Sequence, residues 1–279
     1  MRYRATHVTT YRYQEPVAQC LTEVRLTPRS FPNQRVLYSN IIVDPPPALL
    51  ERRQDYFGNE VAAFTVVRAH DRFTVTGDSI VEVTAPSPAP QPQLTWEAAR
   101  GVLADHPDAV SLEAYEFVFD SPYVPVFDAL AEYAKPSFSA NRPLVDAVSE
   151  LSHRIYEEFR YKPTSTSIDM PLNEVLAKRR GVCQDFAHIM IGALRSYHLA
   201  ARYVSGYLRS GAKYQGAEAS HAWVSVFIPG YGWMDLDPTN DVRPTDGHVT
   251  VAWGRDYGDV TPVKGISLGG GGQTVGVEV

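Results

Sequence analysis

The stretch 178-KRRGVCQDFAHIMIGALRSYHLAARYVSGYL-208 starts an amphipathic helical pattern at a cysteine, and its reading decides the second half of the chain. Cys183, Phe186, Ala187, Met190, Leu194 and Tyr197 fall on or near one helical face, with Cys183 in the first turn. Unpaired amides and the helix dipole favour an anion there, and Arg179 and Arg180 precede it, so the position suits a thiolate. The competing reading is a small apolar cysteine packed in a core.

The next informative segment is 221-HAWVSVFIPGYGWMDLDPTND-241. Ala222, Val224, Val226 and Ile228 form one apolar face of a strand, leaving His221, Trp223, Ser225 and Phe227 on the other. A turn at Pro229-Gly230-Tyr231-Gly232 leads into a return strand with Trp233, Asp235 and Asp237 on one side. With a loop of three or five residues, Phe227 faces Trp233, and His221 and Asp237 become diagonal neighbours, roughly 7 to 8 Å apart at the backbone. A loop of two or four residues separates them onto opposite faces. Cys, His and Asp are the groups that thiol acyl transfer needs as nucleophile, base and orienter of the base.

Working outward, 141-NRPLVDAVSELSHRIYEEFRY-161 places Leu144, Val148, Leu151, Ile155 and Phe159 on one buried helical stripe, with Asn141 and Pro143 as start signals. Shorter helical patterns lie near residues 95 to 105 and 124 to 134. Residues 1–85 read as all-β, in alternating runs such as RYRATHVTTYRY, VLYSNIIVD and RFTVTGDSIVEVT, which predicts an antiparallel sandwich-like domain. The run 85-APSPAPQPQ-93 is a linker or a surface strap, because its prolines remove donors and favour extended chain. The division is a β-rich domain at 1–85, a linker with short helices at 86–140, and an α+β core at 141–279 that ends in a strand within 268-LGGGGQTVGVEV-279.

The chain has 279 residues, 44% hydrophobic and 21% charged, with a formal net charge of −6 and no basic run, which argues against nucleic-acid or anionic-membrane partners. Its start lacks the pattern of a signal peptide, no stretch reaches the roughly 18 apolar residues of a membrane span, and the expected compartment is the cytoplasm. Cys20 and Cys183 are the two cysteines, without C-x-x-C spacing, which fits a reducing compartment. No metal or other cofactor is expected: His188 lies about 140° round the helix from Cys183, and no second cysteine ligand pair or acidic calcium cluster occurs. Nothing in the sequence specifies an oligomeric state.

The blocks 181-GVCQDFAH-188, 201-ARYVSGYL-208, 221-HAWVSVFIPGYGWMDLDPTN-240 and 159-FRYKPTST-166 together resemble the bacterial transglutaminase-like superfamily, papain-like cysteine enzymes with a transglutaminase core. The start, with 22-TEVRLTPR-29, is similar to the β-rich N-terminal domain often attached to that core, and 254-GRDYGDVTPVKG-265 is similar to the segment that follows it. The resemblance implies an α+β core with Cys183 as nucleophile, His221 as base and Asp237 as orienter. Asp235, on the same face of the hairpin, is the competing acid; Asp237 matches the family's acid before Pro-Thr. The implied function is a cysteine peptidase or amide hydrolase that forms a thioester with a peptide or other amide. Protein transamidation and a non-catalytic binding module are the alternatives. Trp223 is read as either a wall of the acyl site or a sheet-packing residue.

Overall fold

The computed structural model describes residues 1–88, 94–105, 108–162, 170–211, 214–216 and 219–279. The alternating N-terminal runs form β1 (Arg2–Val24), β2 (Gln34–Asp44), β3 (Leu49–Gln54), β4 (Glu60–Val66) and β5 (His70–Val83), in one antiparallel sheet ordered β2-β5-β1-β4-β3. The periodicity misses β3, whose sequence LLERRQ is exposed at every position and so shows no alternation.

Strand β1 is the spine. Phe64 on β4 pairs with Thr22 and Phe73 on β5 pairs with Tyr11, positions that a straight strand would hold roughly 36 Å apart at about 3.3 Å per residue. Their ring centroids are 5.9 Å apart. β1 therefore folds over between them, where its register with β5 breaks between Arg12 and Val17 and Pro16 offers no backbone donor. The two halves of the sheet close on Val17, Cys20, Val24, Phe64, Phe73 and Val75, which gives the sandwich-like packing that the alternation predicts.

The second half contains α1 (Trp96–Asp105), α2 (Ala109–Tyr115), α3 (Asp128–Ala134), α4 (Leu144–Glu158), a two-residue β6 (Arg160–Tyr161), α5 (Leu172–Lys178), a two-residue β7 (Arg180–Gly181) and α6 (Cys183–Arg195). A four-stranded antiparallel sheet follows, from β8 (Ala201–Leu208), β9 (His221–Ile228), β10 (Gly232–Leu236) and β11 (His248–Gly254), ordered β10-β9-β8-β11. Helix α6 is buried almost all round and shares one apolar cluster with the stripe of α4 and with Ala222, Val224, Val226 and Ile228 of β9. Each fully buried Leu, Ile or Met there stabilises by about 1.5 to 3 kcal/mol, which fixes the axis of α6 and hence the place of its first residue. Among the described residues no helix is long and apolar enough to cross a membrane.

The domain division differs from the sequence reading at both ends of the core. The segment at 86–140 is more than a linker, because Leu130, Tyr133 and Ala134 of α3 are buried in the same cluster as α6. After α7 (Tyr257–Val260), the tail forms two strands, β12 (Val263–Gly269) and β13 (Gln273–Glu278), and both pair with β1. The tail thus belongs to the N-terminal sheet, since the halves of the folded β1 leave edges that only another strand can satisfy. Residues 89–93 of the proline run and 163–166 of the FRYKPTST block lie outside the described residues.

The two sheets meet through side-chain amides that imitate strand pairing. Gln34 accepts from the Thr250 backbone N–H at 2.8 Å and donates to the Thr250 carbonyl at 2.7 Å, and Asn59 makes the same exchange with Trp253 at 3.0 and 2.8 Å. The outer edge of β11 is paired in this way.

Candidate active site

Cys183 is the first residue of α6, preceded by Val182 in extended conformation. Valine has no side-chain acceptor, so the capping comes from inside the helix: Asp185 Oδ2 accepts the Val182 N–H at 2.8 Å. A Cβ at position 181 would overlap the Asp185 carboxylate, which is why glycine stands there. The Gly-x-Cys-x-Asp spacing thereby leaves the thiol among the unpaired amides of the first turn. Arg179 does not join this site. It ends α5 in left-handed conformation (φ 49°), donates to Glu158 at 2.8 Å and stacks on Tyr133 at 4.2 Å, so its charge is committed beside α4.

The hairpin has the register that brings His221 and Asp237 together. Phe227 pairs with Trp233 and Ser225 with Asp235 across a three-residue connection, so His221, first in β9, and Asp237, just past β10, lie diagonally on one face. His221 Nε2 and Asp237 Oδ2 are 2.9 Å apart, with both side chains at 0% exposure. Asp237 Oδ1 accepts the Thr239 N–H at 3.0 Å, while Oδ2 also accepts from Asn240 Nδ2 at 2.8 Å and is 3.2 Å from His248 Nε2. The competing acid, Asp235, is engaged elsewhere: its Oδ2 accepts the Trp223 indole N–H at 3.1 Å.

Burial works against charge on both partners, and their mutual attraction outweighs it. The His221 pKa is raised, against desolvation, by Asp237 and then by Cys183, which acts on the ring as a charge and as a hydrogen-bond partner. The carboxyl of Asp237 is held below the ordinary range, again against desolvation, by His221 and His248. The second ring nitrogen of His221, Nδ1, makes no hydrogen bond of regular geometry. With Nε2 taken by the carboxylate, Nδ1 is the nitrogen left for the Cys183 thiol, which lies near enough to raise the pKa of the ring.

Trp223 is fully buried, so it presents no wall to a ligand. Its ring lies nearly parallel to His221 at 6.2 Å and edge-on to His248 at 5.3 Å, which makes it the packing surface that sets the imidazole plane.

Three contributors escape the sequence reading. His248 comes from β11, which pairs with β8 and not with β10, so no local pattern announces its contact with Asp237. Asn240 bridges outward: it accepts the Gln215 N–H at 2.7 Å and donates to the Gln215 carbonyl at 3.3 Å while bonding Asp237. Gly216 adopts φ +84°, and a Cβ there would lie 2.8 Å from His221 Nδ1. The backbone at 216 therefore lies against the imidazole; His221 is 1% and Cys183 8% exposed. The third signal was partly available, because a glycine five residues before the histidine marks a close approach of backbone.

A thiol, an imidazole and a buried carboxylate in this order are the parts of a nucleophilic acyl-transfer site. Among the described residues no cluster of three or more His, Cys, Asp or Glu is arranged to hold a metal ion.

Comparison with known proteins places the chain in a family. Residues 3–82 match the bacterial transglutaminase-like N-terminal region, and residues 131–238 match the transglutaminase-like superfamily core. An uncharacterized protein of Mycobacterium bovis is 42% identical over 95% of this chain and 87% of its own length. A protein-glutamine gamma-glutamyltransferase of Pseudomonas aeruginosa is 32% identical over 42% of this chain and 18% of its own length. In three dimensions, the crystal structure of a candidate cysteine protease from Cytophaga hutchinsonii superposes with a TM-score of 0.75 at 21% identity, covering 100% of this chain and 92% of that one. That last likeness establishes the fold alone.

Proposed function

We propose that this chain, which belongs to the transglutaminase-like superfamily, is a thiol-dependent acyl-transfer enzyme that hydrolyses a peptide or other amide through Cys183, His221 and Asp237. The observation that carries the reading is the imidazole of His221 set between a buried, multiply bonded carboxylate and the thiol, with its pKa raised by both. A raised imidazole pKa favours the thiolate–imidazolium pair over the neutral pair.

The thiolate of Cys183 attacks the amide carbonyl, forming the C–S bond. Amides of the first turn of α6, that of Cys183 among them, donate to the oxyanion. His221 gives its proton to the departing nitrogen as the C–N bond breaks, which leaves a thioester. Water, losing a proton to His221, then attacks the carbonyl, and the C–S bond breaks to return the thiol. Asp237 keeps the ring oriented throughout, and substrate entry requires the backbone at Gly216 to move off the ring. The two free cysteines suit a reducing, cytoplasmic setting.

A second reading, transamidation, is favoured by the partial likeness to the Pseudomonas glutamyltransferase. Incubation with a peptide library, with and without a labelled primary amine, and mass spectrometry of the products test both. The expected result is cleavage or deamidation that exceeds amine incorporation and disappears in Cys183→Ala. Amine incorporation in excess replaces the hydrolase with a transamidase, and products that persist in Cys183→Ala overturn the nucleophile.

A further inference from the structure

A cleft of about 810 Å³ lies between the N-terminal sheet and the face of the core sheet turned away from α6. Arg202, Val204, Trp233, Asp235, His248 and Trp253 border it from the core, and neither Cys183 nor His221 does. Its opposite wall includes residues 83–88, the described start of the proline run, anchored where Tyr231 Oη donates to the Ser87 carbonyl at 2.9 Å.

The chemistry of the cleft is concentrated in Arg202. Its guanidinium is stacked between Trp253 at 3.8 Å and Trp233 at 4.2 Å, and Arg29 stacks on the same Trp253 at 3.6 Å. Two cations thus share one indole. Arg29 has polar partners, donating to the Phe57 carbonyl at 3.0 Å and to Asn59 at 2.6 Å. Arg195, the deeply buried arginine of α6, is fuller still, with Phe117, Ser121, Ala201 and Arg255 oxygens between 2.7 and 3.0 Å. Among the described residues Arg202 has no such acceptor, and its Nε, like that of Arg29, is buried without a partner. The nearest carboxylate of influence, Asp235, is bonded to Trp223. Burial lowers the Arg202 pKa to about 9, which still leaves the group charged at neutral pH.

A half-buried cation with its donors unspent is expensive unless an anion completes it, and stacked indoles hold the planar fork ready for a carboxylate. The cleft also has length. His248 pairs with Leu208, six residues along β8 from Arg202, so the two border residues are roughly 20 Å apart at about 3.3 Å per residue. At the far end His248 Nδ1 is likewise buried without a partner.

We propose that this interdomain cleft is a second binding site, for an extended peptide whose carboxylate is received by Arg202 between Trp233 and Trp253. Either a chain terminus or an acidic side chain supplies that carboxylate. The peptide lies against the strap at 83–88 and runs toward His248, whose other nitrogen faces Asp237, so an occupant long enough to reach it touches the residue that supports the acid.

Intrinsic tryptophan fluorescence tests the site, because two of the four tryptophans wall it. The full chain carrying Cys183→Ala is titrated with acetyl-tetraalanine as the free acid, with its C-terminal amide, and with an amidated tetrapeptide containing one aspartate, so that neither turnover nor the acyl-transfer reading affects the outcome. The free acid or the aspartate peptide is expected to saturate and to bind about tenfold or more tighter than the uncharged amide. Which of the two does so identifies the source of the carboxylate. Arg202→Met should abolish the difference, and Arg202→Lys should keep part of it. Equal binding of all three peptides, no saturable response to any of them, or full discrimination in a folded Arg202→Met protein would each overturn the proposal. The acid-against-amide comparison is made on an intact Arg202 and stands even if the methionine variant does not fold.

Discussion

Two buried cysteines sit in regions built on different physics. Cys20 is 3% exposed in β1, among Val17, Val24, Phe64 and Val66. Cys183 is 8% exposed at the start of α6, beside His221. Burial is nearly the same, yet desolvation raises the Cys20 thiol pKa, with only a backbone and a threonine contact in opposition, whereas Cys183 faces an imidazole held by a carboxylate. Depth inside a protein makes a thiol inert, and a chemical role comes from the neighbour that can take its proton.

The largest test of that contrast is removal of each sulfur. Cys183→Ala should lower amide turnover by about a thousandfold or more, while Cys20→Ala leaves turnover within about twofold and instead costs on the order of 1 kcal/mol of stability. Parallel kinetics and denaturant melts of the two variants measure this, and similar losses of turnover in both would erase the distinction.

Asp237→Asn comes next, with a fall in turnover on the order of a hundredfold or more, because the imidazole loses both its orientation and its counter-charge. Stability should change its pH dependence as well. The raised pKa of His221 contributes stability that is fully present below the ordinary imidazole value of 6.5 and fades as pH rises through the folded value. The depressed Asp237 contributes stability that is present above the ordinary value of 3.8 and fades as pH falls through its folded value. The wild type should therefore gain most from the pair between these two ordinary values, and the variant's melting curve should lose that advantage. A profile parallel to the wild type's would rule out the ion pair.

A smaller effect is expected from the labelling of thiols. At pH 6 iodoacetamide should modify Cys183 about tenfold or more faster than Cys20, and His221→Ala should bring the two rates together. The smallest change belongs to His248→Gln, which removes one of the donors of Asp237 but leaves His221, Asn240 and Thr239 in place. Turnover should fall by about three- to tenfold. An unaltered rate would make His248 a packing residue for Trp223.

Legibility followed sequence distance. The β9–β10 hairpin was readable because turn length and alternation decide register within about twenty residues, and a single residue of slip would have sent Asp237 to the other face. The α4 stripe and the start of α6 were readable for the same local reason. The tail was misplaced because alternation identifies a strand and says nothing about its partner: β12 and β13 found β1 some 250 residues away. Strand β3 was invisible because both of its faces are wet.

What the sequence determined by itself was the set of candidate groups and the order in which short-range geometry presents them: a thiol at a helix start, then a histidine and an acid across one hairpin. Backbone periodicity and turn length carry that information over a few residues at a time. What only the tertiary structure decided was everything set by packing between distant segments. His248 supports the acid because β11 crosses to the far side of β8. Arg202 is left between two indoles without an acceptor because the N-terminal sheet, docked through Gln34 and Asn59, closes over it. Desolvation and pairing depend on which surfaces meet, and that is a property of the folded chain as a whole.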